Sequence, residues 1–223
     1  MTEAIVIDDI PRSEVLTRER LSNINYRELE LSELEQIKLQ RIVKVLEHPR
    51  LQELIDEGKI THAMVKPRAD WNTQDLSDLE AAEAVRKSIK KPLEVVFDIS
   101  VIFEEEDVEE FYAGGPREVQ ESRSPIVHKD KFRSRWDELV DIMTSGPTTI
   151  FLLYDPSGNA IPEWRDQIGH WDVDNRPRQP GTIRGDFAKS NYTSIVHGSD
   201  SLQNVKREVA FLSNHLKELL EQK

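Results

Sequence analysis

Between Leu29 and Glu57 the apolar residues Leu31, Leu34, Ile37, Ile42, Val45 and Leu46 recur at roughly helical spacing among charged ones. Pro49 interrupts the run, and RLQELIDEGK then predicts a short second helix closed by Gly58. Beyond Gly58 the pattern alternates. KITHAMVK predicts a strand, Leu76 to Ile89 a helix, PLEVVFDISVIF a long strand, and EEEDVEEFY an acidic helix start, where carboxylates suit the positive end of the helix dipole. FRSRWDELVDIMTSG predicts a helix stopped by Gly146, PTTIFLLYD a buried strand, and PEWRDQIGH a short helix with proline in its first turn. YTSIVHG predicts a final strand and Ser201 to Leu220 a final helix. In that helix Leu202, Val205, Val209, Leu212, Leu216 and Leu219 fall three and four apart, so one face is buried. Asp200 with Gln203 is expected to cap it. Two stretches lack a period: Ala113 to Lys131, polar and expected to be a loop or insertion, and Asp172 to Ser190, expected to be irregular.

Strand, helix, strand, helix, strand, helix, strand is the order of an α+β fold, a ferredoxin-like split βαβ with a four-stranded antiparallel sheet and helices on one side. The expected organisation is an N-terminal helical extension over residues 1–58 and a second unit over 59–223 that carries a polar insertion at about 113–131.

Composition narrows the chemistry. The chain has 223 residues, 37% hydrophobic and 32% charged, enough to bury one ordinary core with an appendage. No segment approaches the apolar length of a membrane span, and the start MTEAIVIDDIPRSE lacks the basic and apolar regions of a signal peptide, so a cytoplasmic protein is expected. The absence of cysteine excludes disulfides, thiolate catalysis and cysteine-ligated zinc. A formal net charge of -12 argues against general binding to nucleic acid, although a small anion could be held by locally grouped arginines and lysines. Neither a GxxxxGK[ST] loop nor a His-Glu-x-x-His spacing occurs.

The span PGTIRGDFAKSNYTSIVHGSDS collects the strongest candidates. His197 ends an apolar strand, and taken alone such a histidine is more often a turn-side residue than a working group. Its company raises the stakes: Gly198 removes bulk beside it, the helix beyond offers free N–H groups to a phosphate, and Glu208 on that helix could fix which imidazole nitrogen stays nucleophilic. Arg184 could fork onto phosphate oxygens or pair with Asp186. The other histidines have ordinary settings: His48 before a proline at a helix end, His62 at a strand start, His128 in the polar insertion and His215 on the exposed side of the last helix. His170, near the irregular loop, is open to either reading.

PGTIRGDF followed by IVHGSDS closely resembles the signature of nucleoside diphosphate kinases, a long and specific motif pair. AMVKP, EEFYA and LVDIMTSGP agree with it in order and approximate spacing, and the resemblance covers Ile60 to Glu221. It implies a ping-pong phosphoryl transfer: a nucleoside triphosphate carrying Mg²⁺ phosphorylates His197, and a nucleoside diphosphate then takes the group. Ser199 and Glu208 would orient the histidine. Lys66, Tyr112, Arg165 and Arg184 would contact phosphates, with Ser194 and Gly198 part of the nucleotide site. Arg135, Trp136 and Leu139 fall at the platform for the base, and magnesium would come on the nucleotide rather than on protein ligands. The implied partners are nucleoside di- and triphosphates and further copies of the chain in a homo-oligomer.

The chain also departs from the family. Arg68 follows Pro67 where an aspartate is usual, Trp171 falls near a phosphate-site threonine, and Ser194 replaces an asparagine. The alternative reading is therefore a catalytically weakened nucleotide-binding regulator, or a phospho-relay protein on the same fold.

Overall fold

In the computed structural model the described residues are 33–67, 76–112, 126–128, 133–170, 179–188 and 195–221. In chain order the elements are α1 (Glu33–Leu46), α2 (Pro49–Asp56), β1 (Ile60–Val65), α3 (Asp78–Ser88), β2 (Glu94–Ile102), α4 (Glu105–Tyr112), β3 (Ile126–His128) and β4 (Arg133–Ser134). They continue with α5 (Arg135–Met143), β5 (Pro147–Tyr154), α6 (Ala160–Ile168), α7 (Ile183–Phe187), β6 (Val196–Gly198) and α8 (Leu202–Glu221).

Strands β2, β5, β1 and β6 lie side by side in that order, every neighbouring pair antiparallel, which is the expected four-stranded sheet. The helices, however, cover both faces instead of one. Ala63 and Val65 of β1 pack with Val85 of α3 and with Trp164 and Ile168 of α6, while Ile60 and Met64 pack with α2, α4 and α8. With apolar layers above and below, all six residues of β1 are buried, as expected for a strand without a wet face.

The two N-terminal helices share this core. Leu39, Val43 and Leu46 of α1 and Leu51, Leu54 and Ile55 of α2 belong to the same cluster as Leu212 and Leu216 of α8. The break between them has a local cause: Pro49 starts α2, and the His48 ring accepts the Arg50 N–H at 3.1 Å, so His48 caps the second helix. Gly58 ends it at φ +70, where a Cβ would meet the Gly158 carbonyl oxygen at 2.6 Å.

Three expectations are corrected. The cap of α8 is Ser201, whose Oγ accepts the Asn204 N–H at 3.3 Å, while Asp200 holds the Asn204 side-chain amide at 2.6 Å. His215 is buried: its Nδ1 lies 3.1 Å from Asp107 of α4 and its ring stacks on Phe211, because α4 covers the flank of α8 that the sequence pattern leaves open. The region expected to be an aperiodic insertion contains β3, paired antiparallel with β4, and the region expected to be irregular contains α7. Residues 113–125, 129–131 and 171–178 lie outside the described part.

Candidate active site

Strand pairing fixes which side chains meet. In an antiparallel ladder, directly opposed residues point to the same face, and so do residues two apart on one strand. His197 of β6 opposes Met64 of β1, and the Ser199 N–H donates to the His62 carbonyl at 3.3 Å. His62, His197 and Ser199 therefore all face α8. Glu208 sits on the buried side of that helix, with Val205, Val209 and Leu212, and projects its carboxylate between them.

The carboxylate is shared by several donors. Its Oε1 lies 3.2 Å from His197 Nε2 and 3.3 Å from Arg207 Nη2, and its Oε2 accepts the Ser199 hydroxyl at 2.5 Å. His62 Nδ1 is 3.1 Å from Oε2. Burial pushes the Glu208 carboxyl up, but the hydrogen bond from His197 and the close polar edge of His62 outweigh it and hold the group below the ordinary carboxylate range. Glu208 is thus a buried, ionised acceptor.

His197 has the opposite balance. Burial lowers its imidazole below the ordinary value against the raising pull of Glu208, and the charges of His62 and Lys66 lower it further. The ring is neutral near pH 7. With Nε2 engaged by Glu208, the proton sits on Nε2 and the lone pair on Nδ1. The side chain keeps 21% exposure, enough to reach a ligand. Phe111 and Tyr112 close around it edge-on at 5.5 and 5.9 Å between ring centroids. Burial and the Glu208 charge raise the Tyr112 phenol despite Arg207, so its hydroxyl stays protonated.

Cations line the approach. Lys66 continues from β1, with its N–H donating to the Ile195 carbonyl at 2.7 Å. Burial and the charge of Arg184 lower its ammonium to about 8. Arg184, on α7, donates to the Gly169 carbonyl at 2.9 Å and to the Val196 carbonyl at 3.1 Å, bracing the loop after α6 against β6. Burial and the Arg165 charge lower its guanidinium to about 10. Arg165 itself is exposed on α6. Three like charges held within reach of one another are costly unless an anion joins them.

The remaining sequence candidates fare differently. Gly198 faces the other side of the sheet, beneath Trp164, whose Nε1 donates to the His197 carbonyl at 3.3 Å. Its lack of a side chain therefore serves that packing. Trp136 is buried, its ring perpendicular to Tyr112 at 6.4 Å, so it supports the tyrosine and offers no open stacking face. Leu139 is half-buried against the same core. Ser194, Arg68 and Trp171 lie outside the described residues, as does the side chain of Arg135.

Sequence reasoning passed over His62, Arg207 and Trp164. Nothing in their spacing marks them, because they reach the site only through the β1–β6 ladder and the docking of α8 and α6. By spacing, His62, His197 and Glu208 could hold a metal ion, one donor atom of each lying within 4.8 Å of the others. Here Glu208 already engages a hydroxyl, an imidazole and a guanidinium, a set that suits a fixed proton better than a cation.

Residues 60–217 match the family model described as nucleoside diphosphate kinase. The chain is similar to a nucleoside diphosphate kinase of Nitratiruptor sp., 45% identical over 85 residues that cover 38% of this chain and 58% of that protein. It is also similar to one of Wolinella succinogenes, 42% identical over 105 residues covering 47% and 63%. The matched stretch thus spans less than two thirds of either relative. Among solved structures, a nucleoside diphosphate kinase from Encephalitozoon cuniculi superposes with a TM-score of 0.51 at 24% identity, over 69% of this chain and 87% of that one. One from Aquifex aeolicus gives 0.50 at 24%, over 69% and 93%. At that identity the likeness is one of fold.

Proposed function

This chain belongs to the nucleoside diphosphate kinase family, and we propose that it transfers the γ-phosphoryl group of a nucleoside triphosphate to a nucleoside diphosphate through phosphorylated His197. The observation that carries the reading is the division of labour on one imidazole: Nε2 is tied to Glu208 at 3.2 Å, which leaves Nδ1 to attack.

In the first half-reaction Nδ1 attacks the γ-phosphorus. A P–N bond forms, the bond from phosphorus to the β–γ bridging oxygen breaks, and the diphosphate leaves with that electron pair. The Nε2 proton stays in place, and the positive charge that grows on the ring is met by ionised Glu208, itself held by Ser199 and Arg207. In the second half-reaction a terminal oxygen of another diphosphate attacks the same phosphorus and the P–N bond breaks, returning the pair to Nδ1. Little covalent work falls to the protein, so catalysis rests on positioning and on cations that match the spread negative charge. Lys66, Arg184 and Arg165 supply them, and the protonated Tyr112 hydroxyl is a further donor to a phosphate oxygen.

The groups named on this approach are cations, which fits Mg²⁺ arriving on the nucleotide phosphates. When bound there it neutralises charge on the β- and γ-oxygens. We place the base against the half-buried flank of α5 near Leu139, and take the N-terminal helices before residue 59 as an extension packed on the family domain. A cytoplasmic location and assembly into a homo-oligomer complete the reading. Among the described residues no helix is long and apolar enough to cross a membrane.

Incubation with γ-labelled ATP and Mg²⁺ should give an acid-labile, base-stable phosphoprotein that discharges to several nucleoside diphosphates. His197→Ala should give none. Phosphoprotein formed by His197→Ala would overturn the reading, whereas a phosphoprotein that no diphosphate discharges would indicate a phospho-relay.

A further inference from the structure

His62 is fully buried, yet neither of its ring nitrogens has a hydrogen-bond partner among the described residues. Nδ1 comes within 3.1 Å of Glu208 Oε2 without the alignment of a hydrogen bond. The ring packs at 5.5 Å from Phe111 and 6.1 Å from His197. A site closed off in this way by aromatic rings and by α8 would be filled at less cost by an apolar residue, since a sealed imidazole gives up its water and regains no aligned hydrogen bond. What the imidazole has that an apolar ring lacks is an N–H on the side of Glu208 away from His197.

We propose that His62 is a positioning residue: its Nδ1 edge, 3.1 Å from Glu208 Oε2, holds that oxygen by a close polar contact short of an aligned hydrogen bond and thereby keeps Oε1 aimed at His197 Nε2, so that His197 presents Nδ1 to phosphate. This rests on the phosphoryl transfer proposed above. A carboxylate held only on the His197 side could turn about its Cγ–Cδ bond, and His197 could then shift its proton to Nδ1, the tautomer that cannot attack. Ser199 and Arg207 restrain the group as well, but Ser199 Oγ also lies 3.4 Å from the His62 carbonyl, a second acceptor for its single proton, and Arg207 also donates to the Phe111 carbonyl. His62, by contrast, has its main chain locked in the β1 ladder, its ring held by Phe111, and its Nδ1 facing Glu208 Oε2.

The test uses the full chain with His62→Phe, which preserves ring packing, and His62→Asn, whose amide N–H stands close to the position of Nδ1. At saturating ATP and Mg²⁺, His62→Phe should slow phosphoenzyme formation about tenfold or more, the scale set by losing control of a catalytic tautomer. KM should stay within about twofold, because no phosphate contact is lost. His62→Asn should recover most of the rate. Nitrogen-detected NMR should find His197 protonated on Nε2 alone in the wild type and in His62→Asn, and a mixture of tautomers in His62→Phe. Wild-type rate and tautomer in His62→Phe, or no recovery in His62→Asn, would overturn the proposal. If the wild type forms no phosphoenzyme, the phosphoryl-transfer reading falls, and the NMR comparison still decides whether His62 governs the tautomer.

Discussion

Replacing Gly198 by alanine tests the geometry behind the proposed nucleophile more directly than changing His197 itself. The added Cβ would stand 2.6 Å from both Cδ1 and Nε1 of Trp164 and 3.2 Å from Cδ1 of Ile168. Carbon atoms rest about 3.5–4.0 Å apart, so the indole must retreat by roughly an ångström. It has nowhere easy to go, since Trp164 and Ile168 are both fully buried. Overpacking of this kind costs about 1–3 kcal/mol. Loss of the Nε1 hydrogen bond to the His197 carbonyl adds about 0.5–1.5 kcal/mol. The expected total is about 1.5–4.5 kcal/mol, read as a lower urea midpoint at unchanged slope. Because the displaced indole pins the peptide of His197, the folded variant should also form phosphoenzyme more slowly at saturating nucleotide. Trp164→Leu alone is destabilising, through the cavity it leaves. In a double-mutant cycle its cost and that of Gly198→Ala should sum to clearly more than the double variant loses, because the methyl group then has room. A Gly198→Ala variant as stable as the wild type, or strict additivity in the cycle, would refute the account and return Gly198 to a direct role at the nucleotide.

Three further outcomes are expected. Lys66 carries its charge below about 8 and loses it as pH rises, so kcat/KM for the nucleotide should fall about tenfold between neutral pH and one unit above that value, and Lys66→Arg should flatten the limb. Glu208 has a depressed folded value, so its contribution to stability is present above the ordinary carboxylate value of 4.5 and is lost as pH falls towards the folded one. Urea midpoints of the wild type and Glu208→Gln should therefore change relative to each other across pH 6 to 3, with the wild type losing more. Asp107→Ala removes the partner of buried His215 and the acceptor of the Glu104 N–H at 2.7 Å. It should cost about 2–4 kcal/mol in chemical denaturation, with phosphoenzyme chemistry in the folded variant unchanged.

Local pattern made much of the molecule legible. The periods of β1, β5 and α8, the proline and glycine punctuation of α2, and the two motifs around Arg184 and His197 are properties of short windows, and short windows are what a sequence displays. Even the pairing of Glu208 with His197 could be guessed, because β6 leads directly into α8. The misses share one physical origin. His215 and His62 look ordinary because their partners, Asp107 and Glu208, lie far along the chain and come near only through docking of α4, α8 and β1. Trp136 was a candidate platform by position alone, and its burial against Tyr112 depends on how α5 settles on the core.

Amino-acid order by itself determined the order of the four sheet strands and the main helices and excluded thiol chemistry, and it singled out the histidine, carboxylate and cations proposed for the site, since each depends on residue type and near neighbours. Tertiary structure alone decided that helices cover both faces of the sheet, because a buried strand reads the same whichever side its layers come from. It alone made Gly198 a seat for Trp164, and it set His62 against Glu208. Those relations arise from register across β1 and β6 and from the docking of α6 and α8, which no single stretch of sequence contains.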